Sequence, residues 1–291
     1  MKKSMNMIAM LIAIFFMSVP GARAQDIYGA VEDGNTVLVK EILKETPDLL
    51  NRKNQDALTP LNLAAQQGQT EVAAMLLKMG ADPSQGDNEN SMPIHLAAIS
   101  GSQECVDLFL DYGIDIDIQD DNGNTALLFA LMYRQPDMAT HLINQGADLN
   151  LQNNNDWTAL QSAAIGGNLE MIKTLVDNKA DINKQITSGM TPLHSATSFG
   201  HLDIVVYLVE HGANINIENN DGEQPLNFAQ NPNTYAVAEY LIEKGTWPMN
   251  CWPRVPVMSI CRNMLPVPTC WLSLLKKDRP GYGSWGIVAG P

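Results

Sequence analysis

The sequence predicts an all-α solenoid of paired antiparallel helices joined by β-hairpin-like loops. Three observations support this: a start motif recurs every 33 residues without slippage, an alanine lies five positions after each start, and an amphipathic segment follows. The six starts, which define repeats 1–6, are Thr59, Met92, Thr125, Thr158, Thr191 and Gln224. A constant period indicates one structural unit stacked repeatedly, and it disfavours a globule with a single active cleft.

Each unit is predicted to contain two helices and an extended loop. The alanine column marks the close approach of first helices in neighbouring units, because a larger side chain would hold their backbones apart. Residues such as Ile204, Val205 and Leu208 mark the buried face of the second helix. Gly200 between the helices and Gly212 after the second one supply residues for left-handed turns.

One unit in particular resembles the ankyrin repeat. The resemblance rests on the segments Thr191-Pro192-Leu193-His194, Gly200-His201 and Gly212-Ala213-Asn214, and it extends from about Gln25 to Gly245. It implies an ankyrin-repeat solenoid in which the Thr and His of the motif form a hydrogen bond that stabilises the turn. By resemblance, that structural role falls to Thr191, His194 and His95.

Several repeats depart from this pattern. The histidine is replaced by Asn62, Leu128, Gln161 and Asn227, the glycine between the helices by Arg134 and Asn233, and the glycine that ends repeat 4 by Lys179. A lysine in the left-handed region costs about 1 kcal/mol. Repeat 4 is therefore predicted to be a locally weak part of the array.

The chain is predicted to have three parts: a signal peptide at 1–24, the repeat array at 25–246 and a tail at 247–291. The array begins with an atypical unit that we interpret as an N-terminal cap. The charged residues of its solvated outer face are Glu32, Asp33, Lys40, Glu41 and Lys44. The polar repeat 6, which ends at Gly245, is expected to close the other end.

The N-terminus shows the features of a secretory signal in order. Lys2 and Lys3 precede an apolar run from Met7 to Val19, and Ala22-Arg23-Ala24 supplies small residues for cleavage. The run is short for a bilayer span, although an uncleaved anchor or a core helix is the alternative. We expect cleavage after Ala24, in a signal of bacterial style, and a periplasmic or secreted mature protein.

The repeat array is strongly acidic. Residues 25–246 hold 31 Asp and Glu against 10 Lys and Arg, a net charge near −21, whereas the tail carries +4. Such a field disfavours binding to nucleic acid and to anionic lipid, and it attracts a partner with a basic surface. It also keeps an elongated monomer in solution, which explains the total charge without a specific ligand.

The tail follows none of the rules of the array. It has no visible period, and its proline content opposes continuous helix. Two interpretations stay open: a small oxidised appendage, or a segment out of frame with the ancestral gene. Cys251, Cys261 and Cys270 lie here at spacings unsuited to a Cys-x-x-Cys pair or a zinc ribbon, while Cys105 stands in a column of buried apolar residues.

No combination of residues points to catalysis, a metal or a cofactor. None of the five histidines has a Ser, Cys or carboxylate partner at a recognised spacing. The acidic loop 115–123 suggests calcium at first, but its register puts Ile118 at the first ligand position and no glutamate closes the loop. We interpret these residues as turn formers, with weak cation binding left open.

With no catalytic, metal or cofactor site indicated, the predicted functional feature is a binding surface. The resemblance to ankyrin proteins implies its location. In ankyrin proteins the loop tips and the outer end of the first helix generally form the concave face that contacts partners. The predicted protein-binding residues at these positions are Leu58, Ile99, Asp120, Asp121, Met132, Tyr133, Asn154, Asp156, Trp157, Ile165, Met190 and Phe199. They combine large apolar side chains with a polar rim, as an interface core requires. For Tyr133, Ile165 and Phe199 the alternative is mutual packing along the stack.

The sequence therefore predicts a non-catalytic, monomeric scaffold outside the cytoplasm that binds another protein on its concave face. No membrane attachment is expected after signal cleavage. Two alternatives stay open: an effector exported to a host cell, and a binding module that serves a periplasmic enzyme.

Overall fold

The computed structural model describes residues 27–245, and all regular secondary structure in this range is helical. The N-terminal cap contains α1 (27–32), α2 (Thr36–Glu45) and a 3-10 turn at Pro47–Leu49. Repeats 1–5 each contribute a helix pair: α3 (Pro60–Gln66) and α4 (Thr70–Lys78), α5 (Pro93–Ser100) and α6 (Gln103–Asp111), α7 (Ala126–Met132) and α8 (Pro136–Asn144), α9 (Ala159–Gly166) and α10 (Leu169–Asp177), α11 (Pro192–Phe199) and α12 (Leu202–Glu210). The predicted signal peptide, the tail and the tail cysteines lie outside the described residues.

Side chains at the helix starts fix the boundaries of the pairs. In α3 the hydroxyl of Thr59 accepts a hydrogen bond from the backbone N–H of Asn62 at 3.1 Å. In α10 the side-chain oxygen of Asn168 accepts one from the N–H of Met171 at 3.1 Å. Such caps satisfy a backbone donor that has no partner inside the helix, and each contributes about 1 kcal/mol.

The alanine column lies at the centre of the stack, as predicted. Its six members are between 0 and 4 % exposed: Ala64, Ala97, Ala130, Ala163, Ala196 and Ala229. The first helices of neighbouring repeats pack against one another through this column, and the second helices cover their outer side. Cys105 is also fully buried, as its column predicts. The five charged residues of the cap face solvent.

Repeat 6 departs from the helix pair. A 3-10 turn at Pro225–Phe228 and another at Pro232–Thr234 replace its first helix, and only α13 (Tyr235–Glu243) is regular. Pro232 has no N–H to continue a helix, and the residue before it, Asn231, is extended at φ −125° and ψ 163°. The first helix of the last unit is therefore broken by its own sequence.

The loops are hairpin-like, although no residue between 27 and 245 lies in a β-strand. In each loop the backbone N–H of one residue donates to the carbonyl four residues later, which closes a five-residue tip. The tips that precede repeats 1–6 are numbered accordingly: 54–58, 87–91, 120–124, 153–157, 186–190 and 219–223.

A ladder of glutamine side chains runs along the loops. The Nε2 atom of Gln119 donates to the carbonyl of Gly123 in its own loop and to that of Gln152 in the next, at 2.6 and 3.0 Å. Gln152 and Gln185 repeat the arrangement one and two units further on. The ladder connects the loops of repeats 3–6.

Among the described helices, none combines the length and the apolar character that a membrane span needs.

Candidate partner-binding surface

The predicted binding residues differ in how far their side chains are exposed to solvent. Met132, Tyr133 and Phe199 are 50, 54 and 57 % exposed, which is unusual for large apolar side chains. Asp121 and Asn154 are also exposed, whereas Ile99, Asp156, Trp157, Ile165 and Met190 are partly buried. The exposure expected for Leu58 and Asp120 is not found, because these two side chains turn inward.

Two exposed aromatic residues lie in one column of the array. Tyr133 and Phe199 occupy equivalent positions at the ends of α7 and α11, and Gly166 holds that position in the repeat between them. The ring of Tyr133 contacts Phe129, with centroids 6.3 Å apart, and the ring of Phe199 stacks on His201 at 6.1 Å. A Cβ on Gly166 would meet nothing within 4 Å. The two aromatic side chains therefore flank an open position, and their ring contacts lie within their own repeats.

Side chains of Asn or Asp close most loop tips. In tip 3 the carboxylate of Asp120 accepts hydrogen bonds from the backbone N–H groups of Asn122 and Asn124, at 2.9 and 2.7 Å. This bonding explains its burial and agrees with the interpretation of the acidic loop as a turn. The first residues of four other tips make the same pair of bonds: Asn54, Asp87, Asn153 and Asn219. Tip 5 differs because it begins with Ile186, which has no side-chain acceptor.

Neighbouring tips are joined by a pair of hydrogen bonds that we call the tip contact. The backbone N–H of Asn154 in tip 4 donates to the carbonyl of Asn122 at 2.9 Å, and its side-chain amide donates to the carbonyl of Asp121 at 2.8 Å. Asn220 in tip 6 makes the same two bonds to tip 5, at 2.9 and 2.6 Å. Between tips 2 and 3 the backbone bond forms without this side-chain bond, and the side-chain amide of Asn122 donates instead to the carboxylate of Glu89 at 3.1 Å.

Tips 4 and 5 have no tip contact. The equivalent groups are the N–H of Thr187 and the carbonyl of Asn155, and neither has a hydrogen-bond partner within residues 27–245. We call this interruption the tip 4–5 gap. Tips 1 and 2 also lack the contact, but there the Nζ of Lys53 donates to the carbonyl of Asp87 at 3.4 Å and bridges the two loops.

The fourth residue of each tip explains where the contact forms. A Cβ on Gly123 would lie 2.8 Å from the backbone nitrogen of Asn154, and one on Gly189 would lie 2.7 Å from that of Asn220. At these two junctions a side chain in place of glycine would collide with the backbone of the next tip. Tip 4 has Asp156 at this position, in the left-handed region at φ 63°. Tip 2 has Asn90 at this position, at φ 57°, and still forms the backbone bond to tip 3, so a Cβ here is compatible with that bond, while the complete tip contact is found only after glycine.

A shallow, open cleft of about 810 Å³ occupies the tip 4–5 gap. Its apolar lining comes from Trp157 and Ile186, and its polar lining includes Asn155, Asp156 and Thr187. None of the eight lining residues is basic. Trp157 and Asp156 were predicted as binding residues from the sequence, whereas Ile186 and Thr187 were not. The signal for Ile186 is its position: it is the first residue of tip 5, whereas the other five tips begin with Asn or Asp.

Two buried histidines have the structural role that the resemblance implies, and each also contacts a carbonyl of the next loop. The Nδ1 atom of His194 accepts hydrogen bonds from the N–H and the hydroxyl of Thr191, at 3.0 and 2.8 Å, and its Nε2 lies 3.1 Å from the carbonyl oxygen of Glu223. His95 makes the equivalent link to Ile118 at 2.9 Å. Burial lowers the pKa of His95, and it lowers the pKa of His194 from 6.5 to about 4. Both histidines are therefore neutral structural groups at pH 7.

Within residues 27–245, no group of three or more His, Cys, Asp and Glu side chains has an arrangement that could hold a metal ion. The acidic loop illustrates this. Its Asp117 carboxylate accepts a bond from the N–H of Asp148 at 2.9 Å, and that of Asp115 accepts one from the N–H of Asp117 at 3.0 Å. These carboxylates bind backbone groups of the loops.

Comparison with known proteins identifies the repeat. The family described as ankyrin repeats (3 copies) matches the chain at residues 27–120, 94–186 and 181–250. The ankyrin repeat and SAM domain-containing protein 6 of Rattus norvegicus is 42% identical over 66 residues, and that of Mus musculus is 41% identical over 66 residues. Both alignments cover 23% of this chain and 8% of the relative, so the chain spans only a small part of the curated relatives it matches.

Among solved structures, the crystal structure of the ankyrin repeat domain of Bcl-3, a unique member of the IkappaB protein family, is similar to this chain with a TM-score of 0.66. The sequence identity is 27%, and the match covers 75% of this chain and 97% of that chain.

Proposed function

Because the chain belongs to the ankyrin-repeat family, we propose that it is a non-catalytic scaffold that binds one partner protein on the concave face of repeats 3–5. Ankyrin repeats generally mediate protein–protein interaction and are typically non-catalytic. The observation that carries the proposal is the half-exposed set of Met132, Tyr133 and Phe199 on repeats 3 and 5. Exposed aromatic residues of this kind are the usual anchors of a protein interface.

The polar rim of this surface favours a basic partner. Asp121 is exposed and Asp156 is partly exposed at the loop tips of repeats 3 and 4. Asp and Glu outnumber Lys and Arg throughout the array, so the long-range field attracts positive charge. We expect the association rate to fall as salt is added, because rim charges act mainly on encounter.

The proposed location is outside the cytoplasm, as a monomer, after removal of residues 1–24. Its support is the ordered sequence of Lys2 and Lys3, the apolar run from Met7 to Val19, and the small residues up to Ala24. Intact-mass measurement on protein from a periplasmic extract tests this, with a mature N-terminus expected at Gln25. Retention of Met1 in a membrane fraction contradicts it. Osmotic-shock fractionation distinguishes a periplasmic protein from an exported effector.

The decisive test of binding is a comparison of matched surface variants. The partner is first isolated by cross-linking and co-purification with the mature chain from its native compartment, and then titrated against purified protein. The double variant Tyr133→Ala/Phe199→Ala is expected to weaken binding by about 2 kcal/mol or more. Val37→Ala, which truncates a 66 % exposed apolar residue in the N-terminal cap, is the control and should bind normally. Equal affinity of both variants and wild type would place the interface elsewhere.

A further inference from the structure

The tip 4–5 gap presents an unused pair of backbone hydrogen-bonding groups. At three junctions, between tips 2 and 3, tips 3 and 4, and tips 5 and 6, the N–H of one tip donates to the carbonyl of the preceding tip at 2.9 Å. At the gap the corresponding donor is Thr187 and the corresponding acceptor is Asn155, and both residues line the open cleft. A donor and an acceptor held in one cleft match the carbonyl and the N–H that one residue of an extended peptide presents on the same side.

The side chains around this pair determine which ligand side chains fit the cleft. Trp157 and Ile186 form the apolar part of the lining, which suits an aliphatic or aromatic side chain. Asp156 adds a carboxylate, and no lysine or arginine among the lining residues neutralises it. A positive side chain beside an apolar one therefore fits the cleft, while a negative one is repelled.

The gap follows from two local replacements. Tips 3 and 5, each with glycine at the fourth position, are followed by tips with asparagine at the second position, and these pairs form the complete tip contact. At the gap, Asp156 stands in place of that glycine and Thr187 in place of that asparagine. Neither residue of the complete contact is therefore present, and Thr187 has no side-chain amide to bridge the tips. The cleft lies where both residues are replaced, and Asp156 also supplies its charge.

Resting on the proposed function, we propose that the cleft between tips 4 and 5 binds an extended peptide segment of the partner protein that carries a lysine or arginine next to an apolar residue. The peptide backbone accepts from the N–H of Thr187 and donates to the carbonyl of Asn155, replacing the missing tip contact. Its apolar side chain packs on Trp157 and Ile186, and its basic side chain pairs with Asp156.

The test uses a variant in which the gap is closed. Asp156→Gly/Thr187→Asn installs the residues found at both complete tip contacts, so it should fold, resist unfolding slightly better and lose the cleft. The matched control is Ala57→Gly, which makes the same kind of change at tip 1 and leaves the tip 4–5 gap open. Asp156→Asn keeps the gap open and removes only the charge.

A phage-displayed library of short random linear peptides, selected on the mature full chain, supplies the probe. We expect the selected peptides to combine a basic and an apolar residue. Their affinity should fall at least about tenfold in the closed variant and in Trp157→Ala, several-fold in Asp156→Asn, and not at all in Ala57→Gly. Binding should shift the backbone amide resonance of Thr187.

Peptides that lack basic residues, the absence of any enriched peptide, or undiminished binding to the folded closed variant would each overturn the inference. The test of the cleft and the test of the proposed function can be told apart. If the closed variant keeps its affinity for the isolated partner protein while Tyr133→Ala/Phe199→Ala loses it, the scaffold function stands and only the cleft assignment fails. If neither variant affects the partner protein, both fail.

Discussion

Two neighbouring junctions of the array, built from the same repeat, have different loop tips. Tips 3 and 4 are joined by both hydrogen bonds of Asn154, and the side-chain amide of Asn153 adds a buried bond to Asn124 at 2.9 Å. Tips 4 and 5 share none of these bonds and enclose an open cleft. The helices below both junctions stack in the same way. The difference is therefore decided at the loop tips, by a few side chains that the stacking of the core does not constrain.

The helical side of the second junction contains two buried polar atoms without partners among the described residues. Gln161 donates to the hydroxyl of Ser195 at 2.6 Å across the junction, but its own side-chain oxygen is buried without a hydrogen-bond partner within residues 27–245. The hydroxyl of Thr197 is in the same situation. Buried polar atoms without partners each cost about 1–3 kcal/mol. The junction between repeats 4 and 5 is thus the place where we expect the array to open most easily.

Acid should weaken the histidine-linked junctions and leave the Gln161 junction unchanged. The folded-state pKa of His194 is about 4, below the ordinary value of 6.5, so the unfolded chain takes up its proton first as pH falls. The stabilisation of the folded state by neutral His194 is therefore complete above pH 6.5. It is lost as the pH falls towards 4, and the free energy of unfolding decreases by ~3 kcal/mol. Urea unfolding at pH 7 and pH 4 measures it, and His95 acts in the same direction.

Repeat 1 shows which substitution would test the pH effect of His194. Asn62, at the position equivalent to His194, accepts from the N–H of Thr59 and donates to the carbonyl of Gln85, both at 3.1 Å. His194→Asn should therefore keep the link between repeats and reduce the pH dependence. An unchanged difference between pH 7 and pH 4 in this variant would mean that His194 is not responsible.

Ala130→Leu should damage the array more than any change at the tips. Ala130 is fully buried in the stack of first helices, and overpacking such a site costs about 1–3 kcal/mol, felt by the repeats on both sides. Asn144→Leu introduces the same leucine side chain at an exposed position of α8 and serves as the control. Equal urea midpoints for the two variants would show that the alanine column tolerates bulk.

Exchanging the glycine and the aspartate of the two junctions should reverse their difference. Gly123→Asp places a Cβ against the backbone of Asn154 and costs about 2 kcal/mol, from two lost hydrogen bonds and the left-handed backbone. Asp156→Gly relieves the backbone of tip 4 and should stabilise the protein by about 1 kcal/mol. Hydrogen exchange at the tip amides and thermal unfolding test both changes. Destabilisation by Asp156→Gly would mean that its carboxylate stabilises the loop.

Lys179→Gly should have the smallest effect, a stabilisation of about 1 kcal/mol. Lys179 ends repeat 4 at φ 71°, where repeats 3 and 5 have glycine. The reciprocal variant Gly212→Lys should destabilise the end of repeat 5 by a similar amount. If both variants melt at the wild-type temperature, backbone strain does not contribute to the weakness of repeat 4.

The repeat fold was predictable because the period, the alanine column and the Thr-Pro-Leu-His motif each encode a contact inside or between units. The left-handed position of Lys179 followed from the same register. The tip 4–5 gap was not predictable from any single repeat, because it needs Asp156 and Thr187 in neighbouring units to be considered together. The burial of Asp120 was missed for a related reason: a place at a loop tip does not reveal that the side chain turns back to bind its own backbone.

The glutamine ladder has a consequence for how the array responds to its surroundings. Its donors and acceptors are uncharged amides, so added salt does not screen them and no accessible pH removes them. The acidic surface, in contrast, repels itself most strongly in dilute buffer. We therefore expect the spacing of loops 3–6 to remain constant from low to high salt concentration. The electrostatic field that attracts the partner changes over the same range.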